Sequence, residues 1–296
     1  MRTESVFIKL KQAACFFVIL VYLLVVQSSV IGPQSFAKVE RLVVVGSTTM
    51  LPLSEQLATK YRGEVGVDVL VQGGGSTAGI NAVLNGIANV GASSRELSKK
   101  EKEHLNAYIV GRDALAIVVN KKNPINNISL NDLRKVLSGE INTWEKLGTH
   151  LNKPIQIIND SAGSGTRAAI EELVMKDSNI TLMSVVVNSS AEMKGNVTNL
   201  KHSIGYLPLN YLDNTVKALS INNVLPSYAA AYKGDYPLFR DLYYVIKKDS
   251  KDLGLAYIYY VLSPEGQDVV VKEGFLPVKL ITSIEELDRI SKGETN

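Results

Sequence analysis

The chain has 296 residues, of which 46% are hydrophobic and 21% are charged, and this composition predicts a globular protein with enough apolar residues for one large core or two modest ones. Residues 1–37 contain three of the 32 basic and one of the 29 acidic residues, so the remainder carries 29 basic against 28 acidic residues, a net charge of +1. This balance gives no support to a nucleic-acid-binding surface and predicts a small ligand held by local groups.

The first 37 residues have the layout of a secretory signal. Three basic residues precede an apolar run over 13–26, and small and polar residues follow it. We predict cleavage after Ala37 and export to the periplasm or the extracytoplasmic face. The alternative is an uncleaved anchor, but the run reaches the roughly 20 residues of a spanning helix only by including Gln27 and two serines.

Neither cysteine nor metal chemistry is expected in the exported part. The only cysteine, Cys15, lies inside the apolar run of the signal, so no disulfide or thiolate remains after cleavage. The three histidines, His104, His150 and His202, are far apart and lack metal-ligand spacing. The sequence therefore predicts no metal and no cofactor.

From Arg41 onward, short apolar runs alternate with helical patterns, which predicts an α/β sheet. In the first part of the chain the predicted strands are 42–45, 67–71, 89–92 and 114–119, and the predicted helices are 51–62, 76–88 and 98–106. A polar cluster ending in Pro124 breaks the pattern, and a crossing between lobes is predicted there.

The second part of the chain repeats the alternation. Its predicted strands are 155–158, 182–187, 205–209 and 242–246, and its predicted helices are 129–137, 164–176 and 254–272. The last helix suits a return to the first lobe. We therefore predict a signal over 1–37, lobe 1 over 38–119 and 240–296, and lobe 2 over 120–239.

Three segments share one design, in which an apolar strand is followed by small and hydroxyl residues and then by the first turn of a helix. They are Gly46-Ser47-Thr48-Thr49, Gly73-Gly74-Gly75-Ser76-Thr77 and Gly163-Ser164-Gly165-Thr166. A helix N-terminus attracts anions through its unpaired N–H groups, glycine permits close approach, and hydroxyls add uncharged donors. Each segment alone also fits ordinary N-capping. Three of them converging would surround a tetrahedral oxyanion.

A fourth segment, Gly91-Ala92-Ser93-Ser94-Arg95, places hydroxyls beside a guanidinium, whose fork of donors matches an oxyanion. The alternative for Arg95 is a solvated surface charge. A nucleotide-binding loop is excluded because no lysine follows the glycines of 73–79 in the required place, and 163–166 lacks the spacing of a serine-hydrolase turn. We therefore do not expect an enzyme.

These segments resemble the phosphate-binding proteins of bacterial phosphate ABC importers, in the shorter-chain branch of that family. The most specific matches are GSTTMLP at 46–52, QGGGSTAG at 72–79, GASSR at 91–95 and GSGTR at 163–167, with support from GYL at 205–207, YPL at 236–238 and LSPEGQ at 262–267. The resemblance implies a two-lobed α/β fold of the type II periplasmic-binding-protein kind, with crossover strands between the lobes and hinge closure on the ligand.

The resemblance also implies a function and a set of contacts. It implies a monomer that captures inorganic phosphate and delivers it to the ABC transporter permease subunits in the inner membrane. The implied ligand contacts are Ser47, Thr48 and Thr49 from the first loop, Ser76 and Thr77 from the second, Ser94 and Arg95 from the third, and Ser164, Gly165 and Thr166 from the other lobe.

Asp160 is where the sequence departs from the family pattern. Family members usually carry an arginine at this place, three residues before the Gly-Ser-Gly-Thr run, so a cation is missing. Either Arg95 or Arg167 compensates, or Asp160 accepts the proton of hydrogen phosphate. Longer members place an acidic acceptor where this chain has Ser94, so the preference for phosphate follows from the family alone. Sulfate or molybdate as ligand, or an adhesion role, remains an alternative.

Overall fold

The computed structural model describes residues 41–248, 250 and 253–280, and the predicted signal over 1–37 lies outside these residues. The strands are β1 Arg41–Gly46, β2 Asp68–Gly73, β3 Val90–Ser93, β4 Leu105–Asn120, β5 Asn127–Ile128, β6 Gln156–Asp160, β7 Val185–Val187, β8 Ser203–Pro208, β9 Val216–Ala218, β10 Ser220–Ile221 and β11 Phe239–Lys247.

The helices in chain order are α1 Leu51–Val65, α2 Ser76–Leu84, α3 Lys99–His104, α4 Leu130–Ser138, α5 Gly165–Ile170, α6 Ser190–Asn199, α7 Tyr228–Lys233, α8 Leu253–Leu262 and α9 Pro264–Lys272. Short 3₁₀ turns occupy Trp144–Leu147 and Leu209–Tyr211, and a π-helical turn over Glu171–Met175 continues α5. No helix in the described part of the chain is long and apolar enough to cross a membrane.

Nine of the strands in the described residues form one mixed sheet in the order β2-β1-β3-β11-β4-β8-β6-β7, with β9 also paired to β4, and β5 and β10 form a separate parallel pair. β1 runs parallel to β2 and β3, and β6 runs parallel to β7 and β8. The 16-residue strand β4 joins the two halves, because residues 105–114 pair with β11 and residues 115–119 pair with β8.

Two bodies are defined by where the apolar side chains pack. Two neighbouring clusters, built around Leu57 and Ile80, form what we call the first lobe, and the largest cluster, around Trp144, forms the second lobe. β11 passes between them, since Phe239 packs against the core of the second lobe and Leu242 lies in that of the first. The predicted two-lobed α/β fold is confirmed.

The C-terminal helical region differs from its prediction. The single helix predicted over 254–272 is wrong: the chain forms α8 and α9, separated at Ser263. Pro264 occupies the first turn of α9, where its missing N–H costs nothing, but inside a continuous helix it would break the backbone ladder. The Ser263 hydroxyl accepts from the N–H of Gly266 and caps the new helix.

Candidate oxyanion site between the lobes

Five buried hydroxyl side chains from four segments meet where the lobes face each other. Ser47 Oγ donates to Ser94 Oγ at 2.9 Å, and the Ser76 and Ser94 hydroxyls lie 3.3 Å apart. Thr49 Oγ1 lies 3.0 Å from Thr166 Oγ1 of the second lobe. Each of the five residues is at most 3% exposed. We call this group the hydroxyl cluster.

Glycine at position 165 is what allows the lobes to approach this closely. A Cβ at Gly165 would lie 2.3 Å from Ser76 Oγ and 2.4 Å from Ser94 Oγ, distances that no side chain could occupy. Nearby, Thr77 donates its backbone N–H to the carbonyl of Gly163 at 3.1 Å, so the lobes also meet through backbone. The start of α5 therefore reaches into the hydroxyl cluster, as the Gly-Ser-Gly-Thr pattern predicts.

Gly75 directs the start of α2 toward the hydroxyl cluster. Its φ of +91° is in a region that L side chains rarely adopt, and it forms the N-cap of α2. A Cβ there would lie 3.1 Å from the carbonyl oxygen of Gly163. The glycine-rich stretch before Ser76 thus allows the backbone conformation that brings the first turn of α2 against the second lobe.

The cation bonded to the hydroxyl cluster is Arg240 of β11, a residue that the sequence patterns did not indicate. Its Nη2 donates to Thr49 Oγ1 at 3.1 Å and its Nη1 to the carbonyl of Ser94 at 3.3 Å. The same guanidinium donates to Asp113 Oδ2 from Nη2 at 2.9 Å and from Nε at 3.2 Å. The available signal was a charged residue at the start of an apolar strand pattern, where an arginine is buried only if it is paired.

Asp113 balances the charge of Arg240. Asp113 is fully buried on β4, and burial raises the pKa of its carboxyl group while the adjacent guanidinium opposes that rise. The pair joins β4 to β11 where the two strands pass between the lobes. Arg240 therefore presents donors to the hydroxyl cluster with its charge already largely compensated.

Arg95, the predicted cation, lies at the rim and is held by a different carboxylate. Its Nη1 and Nη2 donate to the two oxygens of Glu101 at 3.0 and 2.9 Å, and Nη2 also reaches Thr77 Oγ1 at 3.3 Å. The bond from Arg95 lowers the pKa of Glu101 to about 2. Arg95 is thus next to a predicted site residue, Thr77, but its bonds lead away from the hydroxyl cluster.

Asp160 and Ser164 form a closed hydrogen-bond unit. Ser164 Oγ donates to Asp160 Oδ2 at 2.8 Å and accepts from the N–H groups of Thr166 and Arg167 at 3.1 and 3.2 Å. A hydroxyl has one donor and two acceptor positions, so all three are used. Asp160 is 3% exposed, and burial, the largest influence, raises the pKa of its carboxyl group to about 6.

Arg167 is also committed elsewhere. Its Nε donates to Glu171 Oε1 at 2.7 Å, and its Nη1 donates to the backbone carbonyl of Asp160 at 3.3 Å. Both predicted compensating cations, Arg95 and Arg167, therefore each have a carboxylate of their own outside the hydroxyl cluster.

The structure thus divides the predicted site residues into two groups. Inside or directly against the hydroxyl cluster are Ser47, Thr49, Ser76, Ser94, Gly165 and Thr166. At its edge are Thr48, Thr77, Arg95, Asp160 and Ser164. In the described ranges no group of three or more His, Cys, Asp or Glu residues could hold a metal ion. The arrangement offers neutral donors and one paired guanidinium, which suits reversible anion binding.

Known proteins resemble this chain over most of its length. A family model for the PBP superfamily domain matches residues 32–265. The phosphate-binding protein PstS of Borreliella burgdorferi is 30% identical over 259 residues, covering 81% of this chain and 91% of that protein. The phosphate-binding protein PstS of Bacillus subtilis is 31% identical, covering 80% of each chain.

A solved structure is also similar to this chain. A substrate-binding protein from Clostridium perfringens with bound phosphate, assigned to a phosphate ABC transporter, superposes with a TM-score of 0.77 at 29% sequence identity. The match covers 81% of this chain and 100% of that one. The loops that carry the hydroxyl cluster lie within the residues matched by the family model.

Proposed function

The chain belongs to the PBP superfamily, among the phosphate-binding proteins, and from this membership we propose that it captures inorganic phosphate between its two lobes for delivery to an ABC importer. The observation that carries the proposal is the buried hydroxyl cluster with Arg240 bonded to it. Phosphate is bound in the related Clostridium perfringens structure, which supports the choice of anion.

The hydroxyl cluster can exchange its internal bonds for bonds to an anion. A hydroxyl hydrogen rotates freely, so Ser47, Ser76, Ser94, Thr49 and Thr166 can each turn a donor from a neighbouring oxygen to a phosphate oxygen. Uncharged donors hold the anion without the strong attraction of free cations, and this suits a protein that must release its cargo. The first turns of α2 and α5 add partial positive charge.

Arg240, in our proposal, replaces the arginine that family members usually carry where this chain has Asp160. Of the three arginines near the site, only Arg240 directs donors to two hydroxyl-cluster residues, Thr49 and Ser94. Asp160 then stabilises the start of α5, because it accepts a hydrogen bond from the Ser164 hydroxyl that caps this helix. The other role for Asp160, as acceptor of the proton of hydrogen phosphate, uses its Oδ1, which has no hydrogen-bond partner among the described residues.

We further propose that the protein is exported by cleavage of residues 1–37, acts as a monomer, needs no cofactor, and docks on permease subunits rather than catalysing a reaction. The lobe ranges 38–119 with 240–296, and 120–239, are part of this proposal. The cores support the boundary at 239/240 and favour moving the first boundary into β4, since Ala114 already packs in the second lobe.

Binding can be tested by titrating phosphate into the exported protein in phosphate-free buffer and following the heat. One phosphate per chain is expected, with sulfate and molybdate failing to compete at equal concentration. Saturation by sulfate or molybdate, and not by phosphate, would show that the protein binds that oxyanion instead. No heat with any of the three would refute oxyanion capture altogether.

A further inference from the structure

A tyrosine outside the hydroxyl cluster joins the two lobes. Tyr211 lies in the 3₁₀ turn after β8 and packs against the core of the second lobe. Its hydroxyl donates to the backbone carbonyl of Thr48, in the first lobe, at 2.9 Å. The bond therefore crosses between the lobes without using any side chain of the hydroxyl cluster.

The loop that contains Thr48 is fixed from its own lobe by two other bonds. The Ser47 N–H donates to the carbonyl of Ala92 at 2.9 Å, and the Met50 N–H donates to the carbonyl of Ser47 at 3.1 Å. The Thr48 carbonyl belongs to the peptide unit that leads into Thr49, whose hydroxyl meets Arg240 and Thr166. Tyr211 thus holds a peptide of this loop from the second lobe.

The surroundings of Tyr211 allow this bond to form and break. Tyr211 is half-buried beside a groove of about 430 Å³, which is lined by Pro52 and Gly274 from the first lobe and by Asn210 and Asp213 from the second. Burial, the larger cause, and the charge of Glu55 raise the pKa of Tyr211 to about 12, so its hydroxyl remains a donor at neutral pH. When the lobes separate, both Tyr211 and the Thr48 carbonyl can bond to water.

We propose that Tyr211 is a positioning residue that stabilises the closed lobes and holds the first phosphate loop through the Thr48 carbonyl, without touching the ligand. The proposal rests on the phosphate-binding function above. Apparent affinity scales with the fraction of protein in the binding-competent state, so a bond made only on closure slows release of the anion. Losing one such neutral bond is expected to speed release about threefold to tenfold.

The substitution Tyr211→Phe removes only the hydroxyl, and the chain offers a matched control. Tyr236 also donates to a backbone carbonyl, that of Leu115, at 2.8 Å, but both residues belong to the core of the second lobe. Tyr211→Phe is expected to speed phosphate release in stopped-flow measurements, and to speed arsenate release by the same factor. Tyr236→Phe is expected to lower the melting temperature and leave release within twofold of wild type.

An unchanged release rate in Tyr211→Phe, a factor that differs between the two anions, or an equal acceleration in Tyr236→Phe would overturn the proposal. A second measurement separates it from the proposed function. Spin labels at Lys99→Cys and Asp177→Cys, one exposed position on each lobe, report the interlobe distance without ligand in a Cys15→Ser background.

Tyr211→Phe is expected to shift the label distances toward longer values, and Tyr236→Phe is not. An unchanged distribution overturns the role of Tyr211 even if the release rate changes. If the wild-type protein binds no phosphate, the proposed function fails on that result, and the label distances alone decide whether Tyr211 holds the lobes together.

Discussion

Replacing Arg240 by methionine is expected to lower both the unfolding free energy and the affinity for phosphate, and a double variant separates the two effects. Arg240 Nη2 lies 2.9 Å from Asp113 Oδ2, and their side chains are 6% and 0% exposed. Arg240→Met leaves a buried carboxylate without its cation, which is expected to cost about 3–5 kcal/mol of unfolding free energy. The double variant Arg240→Met with Asp113→Leu removes both charges, so its unfolding free energy is expected to return to the wild-type level or above.

Phosphate binding is expected to respond differently in these variants. A hydrogen bond from a guanidinium to a charged partner contributes about 1.5–3 kcal/mol, so losing one raises the Kd about 10-fold to 150-fold. The stable double variant should bind as weakly as the single variant, because neither has Arg240. Urea unfolding gives the stability and calorimetric titration with phosphate gives the Kd. Wild-type affinity in the double variant would refute the assignment of Arg240 to the site.

Two further predictions use single positions in the second lobe. Gly165→Ala is expected to abolish phosphate binding because its Cβ would lie 2.3 Å from Ser76 Oγ. Gly195→Ala in α6 is the control, because nothing lies within 4 Å of its Cβ. This control should bind phosphate normally, and its unfolding free energy should rise by about 0.5–1 kcal/mol. Equal binding by both variants in calorimetry would contradict the geometry. Burial raises the pKa of Asp160 from 3.8 to about 6, so between these two pH values its carboxyl holds a proton in the folded chain that the unfolded chain has lost. This contribution to stability is complete below pH 3.8 and is lost as the pH rises through about 6, by ~3 kcal/mol in all. Asp160→Asn should therefore flatten the fall in unfolding free energy between pH 4 and pH 6, and an unchanged pH profile would show that Asp160 titrates normally.

Local chemistry explains why the hydroxyl cluster could be predicted. Glycine before Ser76, and the Gly-Ser-Gly-Thr run around Gly165, encode the turn and the cap within a few neighbouring residues. Each loop therefore carries its own signal, and alternation of strands and helices places the loops at strand ends. Their convergence still required the resemblance to the family or the structure.

The partners of the arginines could not be predicted in the same way. Asp113 and Arg240 are 127 residues apart and meet only because β4 and β11 pair in register. Arg95 was the natural candidate from sequence because it follows Ser94, yet Glu101, six residues later, binds its guanidinium. The pairing of Arg240 with Asp113 depends on tertiary contacts between distant parts of the chain, which no local pattern records.

A crystal structure of the exported protein grown with phosphate would show directly whether the hydroxyl cluster and Arg240 bind the anion. We expect the anion between the lobes, with oxygens about 2.6–3.2 Å from the hydroxyls of Ser94 and Thr166 and from the Arg240 guanidinium. An anion bound outside the hydroxyl cluster would contradict the proposed site. An anion between the lobes with no hydrogen bond to Arg240 would contradict the role of that residue.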